Sequence, residues 1–321
     1  MGTALLLAAC GSSGPVDGKA AMRHVENIVA FGPRPFGSEN LGKAADYICN
    51  QVKSLGLEPK RHEVMLESEH KLIRNLYTQI DGWDPVNGPI LMIGSHYDTK
   101  LTDGHTDQAH NFPFVGAIDG TGGPAVLLEL ARTLKAQPKK PRVNIWLYWI
   151  DAEESIDFKW NTQRSLLGSK AFCKFLVESK VKDRVKAFVL LDLIGDKNIK
   201  IDYDGNSNKE LQEIVRAAGK AMGEEERIYK FSSATTDDHE VFRDYGIPSV
   251  LLIDFYHRVP FARLKEMDPK AEDRPHPDYV QWWHTPEDTI DKMSAQSLAF
   301  AGNLVMQALP DFEKFILDKK R

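Results

Sequence analysis

The sequence predicts a single α/β domain built on a twisted, mostly parallel central sheet with helices on both faces. Three observations carry that prediction. Short, almost wholly apolar runs recur, as in "PILMIGS", "VNIWLYWI", "KAFVLLDLIG" and "IPSVLLID". Such runs, rich in β-branched and aromatic residues, read as strands buried on both faces of a parallel-type sheet. Stretches with helical spacing of apolar residues alternate with them, which implies helices on both faces. No Gly/Ser linker, repeat or low-complexity block divides the middle of the 321-residue chain.

In chain order, "GKAAMRHVENIVAF" has apolar residues at helical spacing, and "GPRPFGS" breaks it. "SENLGKAADYICNQVKSLG" restarts a helix, with Ser38 as N-cap and Gly56 closing it. "KRHEVML" and "IRNLYTQI" alternate and read as strands. "PILMIGS" is a buried strand running into His96, Tyr97 and Asp98, and "TGGPAVLLELARTLKA" is a helix opened by Thr121. Residues 143–150 form the next strand, followed by a helix through "SKAFCKFLVES" and a strand ending at Asp192. "NKELQEIVRAAGKAMG" is an amphipathic helix, "DHEVFRDYG" a short one, and "IPSVLLID" a strand. "SAQSLAFAGNLVMQALPDFEKFILD" reads as a C-terminal helical segment interrupted near Pro310. Residues 254–283 form a long loop, of a length usually functional or mobile. Its functional reading is a rim for a peptide, with His257 and His276 as surface residues.

Composition narrows the possible functions. The apolar fraction of 42% suffices for a sizeable core. A net charge of -5 without a basic stripe, only scattered pairs such as Lys139 and Lys140, argues against nucleic acid as a partner. Three cysteines, Cys10, Cys49 and Cys173, give neither a disulfide framework nor a CxxC metal site. Cys49 and Cys173 lie in helix-like stretches and read as core thiols. Cys10 ends "LAAC", the pattern of a bacterial lipoprotein signal, ahead of a loose "GSSGP". The expectation is a signal peptide removed before Cys10, a lipid on that residue, and a periplasmic or surface lipoprotein of the bacterial cell envelope. No other stretch is long enough to span a membrane, so membrane contact is expected only through that anchor.

The most hydrophobic run, residues 143–150, abuts Asp151, Glu153 and Glu154. Acids just past a strand's C-terminal end sit where open α/β sheets bind ligands. Crowded there, carboxylates repel one another unless protonated or held by a cation. Salt bridges to Lys or Arg are one resolution and a metal is another. Other apolar runs end the same way: "MIGSHYD" gives His96 and Asp98, "FVGAIDG" gives Asp119, and "LLDLIGD" gives Asp192. "TTDDH" adds Asp237, Asp238 and His239, and "WWHTPED" adds His284. Six such placements on one sheet edge are hard to explain by chance, and mixed His and carboxylate ligation suits zinc.

Taken in order, "GSHYDTK", "FVGAIDGTGGPAVLLELAR", "DAEESIDFKWNTQRSLLGSKAF", "LLDLIGD", "DDHEVFRDYGIPSVLLI" and "WWHTPEDTID" resemble the M28-type zinc exopeptidases, and among them the glutaminyl-peptide cyclotransferases. With "FGPRPFGS" and the N-terminal helix, the resemblance covers most of the chain from about Ala20 onward. It implies one zinc ion per chain, held by Asp119, Glu154 and His284. It implies Glu153 as the catalytic acid and base, with Asp192 and Asp237 as two buried acids of a hydrogen-bond network beside it. Trp160 and Trp283 match residues lining the substrate pocket. The implied activity converts the N-terminal Gln of peptides or proteins to pyroglutamate with release of ammonia, carried out by a monomer. Residues 1–17 would then be a signal remnant with a flexible linker, and residues 18–321 the catalytic domain.

The alternative on the same fold is a two-zinc aminopeptidase, with His96 and Asp192 on a second zinc, Asp119 bridging, and Glu153 as base for activated water. Ligand residues alone do not separate the two. "GTGG" after Asp119, in place of the "NxSG" common in aminopeptidases, and the tryptophans Trp160 and Trp283 favour the cyclotransferase. A metal-free binding protein on this scaffold would require loss of a ligand or of the base, and none is missing.

Overall fold

The structure, a computed structural model, describes residues 14–256 and 282–318. Helices α1 (Gly18–Val29) and α2 (Glu39–Ser54) come first, each started by a side chain that accepts orphan backbone N–H groups, Asp17 for α1 and Ser38 for α2. Gly56, at φ +68°, closes α2 in the left-handed region as its position after the helix requires. Strands β1 (Lys60–Leu66), β2 (Lys71–Ile80), β3 (Ile90–His96), β4 (Asn144–Ile150), β5 (Val185–Asp192) and β8 (Ser249–Ile253) form one sheet in the order β1-β2-β4-β3-β5-β8. The β4, β3, β5 and β8 pairings are parallel, whereas β2 runs antiparallel to both β1 and β4. Every residue of β3 and β4 is buried, which matches their continuous apolar runs.

Helix α3 (Gly122–Lys135) joins β3 to β4 and packs with α1, α2 and the C-terminal helix α7 (Ala295–Asp318). Helices α4 (Leu167–Glu178) and α6 (Asp238–Asp244) pack together on the other face. Helix α5 (Lys209–Ala221) lies against α7. Cys49 and Cys173 are free, buried thiols. One large apolar core runs through these layers, and Val16, ahead of α1, belongs to it. The Val16 N–H donates to Asn303 Oδ1 at 3.0 Å, so the linker drawn through residue 17 ends earlier. Cys10 lies outside the described residues, as do His257, His276 and most of the loop expected to rim a peptide.

One expectation is corrected here, one is borne out with a different bond, and one element is new. Helix α7 is not interrupted: it runs 24 residues with Pro310 inside it. Proline removes one N–H from the ladder, but Leu304, Ala308, Phe312 and Ile316 bury the helix on both sides of that position, and this packing holds it together. Thr121 opens α3 without a side-chain cap bond; its hydroxyl donates to the Gly116 carbonyl and accepts from Arg34 instead. A second, two-stranded parallel sheet of β6 (Ile201–Asp204) and β7 (Ile228–Ser233) was not anticipated. Two of the four β6 residues are aspartates, and both are buried. Asp202 accepts from the N–H groups of Phe255 and Tyr256, and Asp204 from Ser207 and Thr235. Buried acids satisfied by distant groups hide a strand from pattern reading.

Candidate metal centre and active site

The functional side chains leave one edge of the sheet. His96 ends β3, Glu153 and Glu154 follow β4, and Asp192 ends β5. From β3 the chain crosses by α3 on one face, and from β4 by α4 on the other. The crevice where connections diverge is where open α/β sheets hold ligands. Asp119 stands just before α3, Asp237 at the N-cap of α6, and His284 in the loop ahead of α7.

Two groups of ligand-type atoms converge there, each within 4.8 Å: Asp119, Glu154 and His284 in one, His96, Asp119 and Asp192 in the other. His284 Nε2 lies 2.9 Å from Glu154 Oε1 and 3.3 Å from Asp119 Oδ2. His96 Nε2 lies 3.2 Å from Asp119 Oδ1 and 3.0 Å from Asp192 Oδ1. Asp119 thus turns one oxygen to each histidine. The residues of the first group fit a metal ion: the donors are mixed imidazole and carboxylate, and Asp119 Oδ2, Glu154 Oε1 and His284 Nε2 converge on one another.

Other buried groups fix these donors. The Asp98 carboxylate accepts from the backbone N–H groups of Glu153 and Glu154, both at 3.2 Å. Asp288 does the same for Ile118 and Asp119, at 2.8 and 3.0 Å. The fully buried Arg34 donates to the carbonyls of Gly32, Tyr97, Val115, Gly116 and Gly120 and to Thr121 Oγ1. It thereby ties down both flanks of Asp119. Lys100 Nζ donates to the carbonyls of Ser155 and Asp157 and stands 3.7 Å from Glu154 Oε2. The run "DGTGG" is required by close approach: a Cβ on Gly120, which sits at φ +87°, would lie 2.1 Å from the Asp98 carbonyl, and one on Gly122 would lie 1.7 Å from that of Ile194. Ala152, Leu193 and His284 hold positive φ near +50°. Strain of this kind, of order 1–3 kcal/mol per residue, gathers at functional sites.

Electrostatics sort the acids. Burial raises the Glu153 carboxyl well above the usual carboxylate range, with His96 opposing and Glu154 and Asp237 adding to the shift. Burial likewise raises Asp192 and Asp237. Asp119 moves the other way, because hydrogen bonding and charge from His284 and His96 outweigh its burial. Glu154 is also lowered, since His284 and Lys100 outweigh desolvation. Asp151, the first acid after β4, is not part of this group: it accepts from the Arg74 N–H at 2.6 Å, and burial pushes it up to about 8.

A cavity of about 580 Å³ opens beside His284, walled by Trp283, Phe112, Phe158 and Leu101. Trp283 stacks on His284 with centroids 3.9 Å apart, and Phe114 meets the same imidazole edge-on at 5.8 Å. Trp160 is not in the cavity wall; it is 39% exposed. The loop that carries it is folded by Arg164 on Asp157 and by Ser155 Oγ on the Lys159 carbonyl, a turn that puts Phe158 and Lys159 at the cavity and Trp160 outside. Asp192 bonds to His96 and to the Leu193 N–H, and Asp237 to the Asp238 N–H. Sequence reading gave no role to Arg34, Lys100 or Asp288, and named Asp98 only as a potential metal ligand, whereas it accepts from two backbone N–H groups. Only Asp98 and Asp288 left a signal, as acids within the quoted "HYD" and "HTPED".

This arrangement has relatives. A crystal structure of a glutaminyl cyclase from an Acidobacteriales bacterium superposes with a TM-score of 0.79 at 29% identity, over 97% of this chain and 99% of that one. The glutaminyl-peptide cyclotransferase of Drosophila melanogaster is 25% identical over 296 residues, 83% of this chain and 74% of its own length. Aminopeptidase YwaD of Bacillus subtilis (strain 168) is 29% identical over 220 residues, 67% of this chain and 41% of its own length. The model of Peptidase family M28 matches residues 75–309, a span that holds both donor groups, Glu153 and the cavity wall, and the chain belongs to that family.

Proposed function

We propose that this chain is a zinc-dependent glutaminyl-peptide cyclotransferase, with Asp119, Glu154 and His284 holding one zinc ion and Glu153 carrying the proton. The observation behind this reading is the likeness to a glutaminyl cyclase over 97% of this chain, with a ligand group and a buried acid at one crevice. The zinc, when bound, supplies Lewis-acid polarisation of the γ-amide carbonyl.

The rest is the work of the chain. In the reaction the α-amine nitrogen of an N-terminal Gln bonds to its own γ-amide carbon, the bond to the amide nitrogen breaks, and ammonia leaves. The nucleophile belongs to the substrate, so holding one conformer removes much of the barrier. Trp283 and Phe158 wall part of an open cavity beside His284 that has room for a short glutamyl chain. Glu153 takes the proton released by the attacking amine and returns one to the departing nitrogen, a role suited to a carboxyl with raised proton affinity. Asp98 aims Glu153 and Glu154 by gripping their backbone N–H groups, and the crowding of Glu153 with Asp237 favours a proton on the pair. The same reading has the catalytic domain acting as a monomer, held at the cell envelope by a lipid on Cys10; "LAAC" supports that location.

The test is one assay pair together with zinc content per chain. Ammonia release from a Gln-peptide, no cleavage of a leucyl anilide and one zinc per chain are expected. Glu153→Gln should keep zinc and lose turnover. Leucyl cleavage dependent on two zinc ions, without cyclisation, would overturn the reading in favour of the aminopeptidase. One observation favours that second reading: His96, Asp119 and Asp192 form a donor group of their own.

A further inference from the structure

The active site occupies one edge of the sheet, and the opposite edge has a distinct surface. Because β2 is antiparallel to β4 and β3 parallel to it, the β2–β3 loop (residues 81–89) and the α3–β4 loop (residues 136–143) meet where β4 begins. The segment entering β5 (residues 179–184) and the turn entering β8 (residues 245–248) belong to this same edge. The seven residues of β4 hold it roughly 20 Å from the catalytic crevice.

Of the seven large hydrophobic residues exposed among the described residues, four belong here: Trp83, Val86, Val177 at the end of α4, and Tyr245. Trp83 and Val86 are the most exposed of all, at 70% and 71%. Around them the four loops carry six lysines and arginines against three aspartates, in a chain whose net charge is -5. Arg142 stands over the Trp83 ring at 5.7 Å, and Lys139 and Lys140 are exposed in the adjoining turn. The Glu313 carboxylate beside them is turned inward, accepting from the Arg142 N–H. The N-terminal approach is on this side too. Gly14 and Pro15 line one groove with Lys139 and Lys140, and the Pro15 carbonyl accepts from Arg132. Cys10 is four residues upstream of Gly14 in sequence, at most roughly 14 Å of extended chain.

We propose that this edge is a membrane-docking face: Trp83, Val86, Val177 and Tyr245 enter the interfacial layer of a bilayer, and Lys139, Lys140 and Arg142 meet the phosphates of anionic lipids. Amphipathic aromatic rings favour the headgroup level, and clustered cations are drawn to an anionic leaflet. A lipid on Cys10 would bring this edge, not the crevice, to the surface, leaving the catalytic cavity open to peptides from the aqueous side. One acyl chain alone anchors weakly and reversibly, so a basic and aromatic face would be the second attachment signal.

The test uses the full chain carrying Cys10→Ser, so that no lipid contributes, with sedimentation on vesicles of equimolar phosphatidylglycerol and phosphatidylcholine and on phosphatidylcholine alone. Binding to the anionic vesicles, lost in 0.5 M salt, is expected. The pair Lys139→Glu and Lys140→Glu should weaken it by about tenfold or more, and Trp83→Ala should weaken it separately. Both variants should leave turnover of a soluble Gln-peptide and the circular dichroism spectrum unchanged, so loss of binding is not loss of fold. No sedimentation of the Cys10→Ser chain, equal binding by the variants, or a concentration-dependent dimer abolished by Trp83→Ala would each overturn the proposal, the last by showing a second copy on this face.

Discussion

Arg34→Met removes one guanidinium and tests whether the Asp119 segment is held from below. The residue is fully buried and donates to six oxygens, of which those of Val115, Gly116, Gly120 and Thr121 flank Asp119. Burial lowers its pKa only to about 10, because Asp98, Asp288 and Asp119 offset the loss of solvent, so it is charged at neutral pH. Methionine keeps much of the volume, which isolates the polar loss from a cavity. Two of the six bonds are long, at 3.4 Å, and a full sum over bonds would overstate the effect. Breaking a buried charged network by removing one partner costs about 3–5 kcal/mol. An unfolding entropy of about 2.1 cal/mol/K per residue makes this about 4–8 °C in Tm for 321 residues. Zinc affinity should fall with it by about 10- to 100-fold, the usual cost of disturbing groups behind the ligands. Thermal unfolding of the metal-free chain and a chelator competition measure the two effects. Arg34→Lys, with fewer donors but the charge kept, should fall between. A Tm within about 1 °C of the parent with unchanged zinc affinity would refute the idea that this guanidinium fixes Asp119.

His284→Ala and Asp119→Ala should each lose zinc while far-ultraviolet circular dichroism stays near the parent; metal analysis after gel filtration decides, and retention of tight zinc by either contradicts the ligand assignment. Trp283→Ala should lower kcat/KM for a Gln-peptide by about 10- to 100-fold, from the loss of a half-buried aromatic wall. Phe158→Ala should act in the same direction while Trp160→Ala stays near the parent; the reverse order would put Trp160 in the pocket. Asp151→Asn reports on pH. Burial raises Asp151 to about 8 from 3.8, so between those values the unfolded chain has released a proton that the folded chain keeps, and rising pH favours unfolding. Asparagine removes this term, and the variant should gain on the parent by up to about 1.4 kcal/mol for each pH unit climbed in that window. Urea titrations at pH 5 and pH 8 measure the difference, and parallel curves would show that Asp151 is ionised in the folded protein.

The sheet was legible because its strands are buried on both faces: β3, β4, β5 and β8 each read as one apolar run, and the residue after each run could be named. That gave His96, Glu153, Glu154 and Asp192 their places on one edge, while Asp119, Asp237 and His284 were named from the loop motifs "AIDG", "TTDDH" and "WWHTPED". Residues whose partners are backbone groups far along the chain were not legible. Asp288 holds the N–H of Asp119, 169 positions away, and Arg34 reaches the Gly120 carbonyl across 86 positions. Neither follows a pattern that periodicity detects. Trp160 lies outside the cavity for a related reason: the resemblance implies an aromatic wall from this loop, but a turn closed by Arg164 and Asp157 decides which side chain of "DFKW" faces inward. Pro310 shows the opposite case, where a strong local signal gives way to packing along the whole of α7.

The apolar run of β4 and the acids behind it now have a physical relation. Asp98, Asp119, Glu153, Glu154, Asp237, Asp238 and Asp288 are all buried around this crevice, while the permanent cations buried with them are Arg34 and Lys100. Such an excess of carboxylates is tolerated in low dielectric only if protons or a bound cation neutralise it. The two resolutions divide among the residues. Glu153, Asp237, Asp238 and Asp288 shift toward their protonated forms. Asp119 and Glu154 shift toward the ionised form, drawn by His284 together with His96 for one and Lys100 for the other. The carboxylates that shift toward the ionised form are the two in the His284 donor group, and Glu153 beside them shifts the other way. Adjacent glutamates in one sequence thereby acquire opposite shifts in proton affinity from the partners the fold brings to each, and the proposed division into ligand and acid rests on that difference.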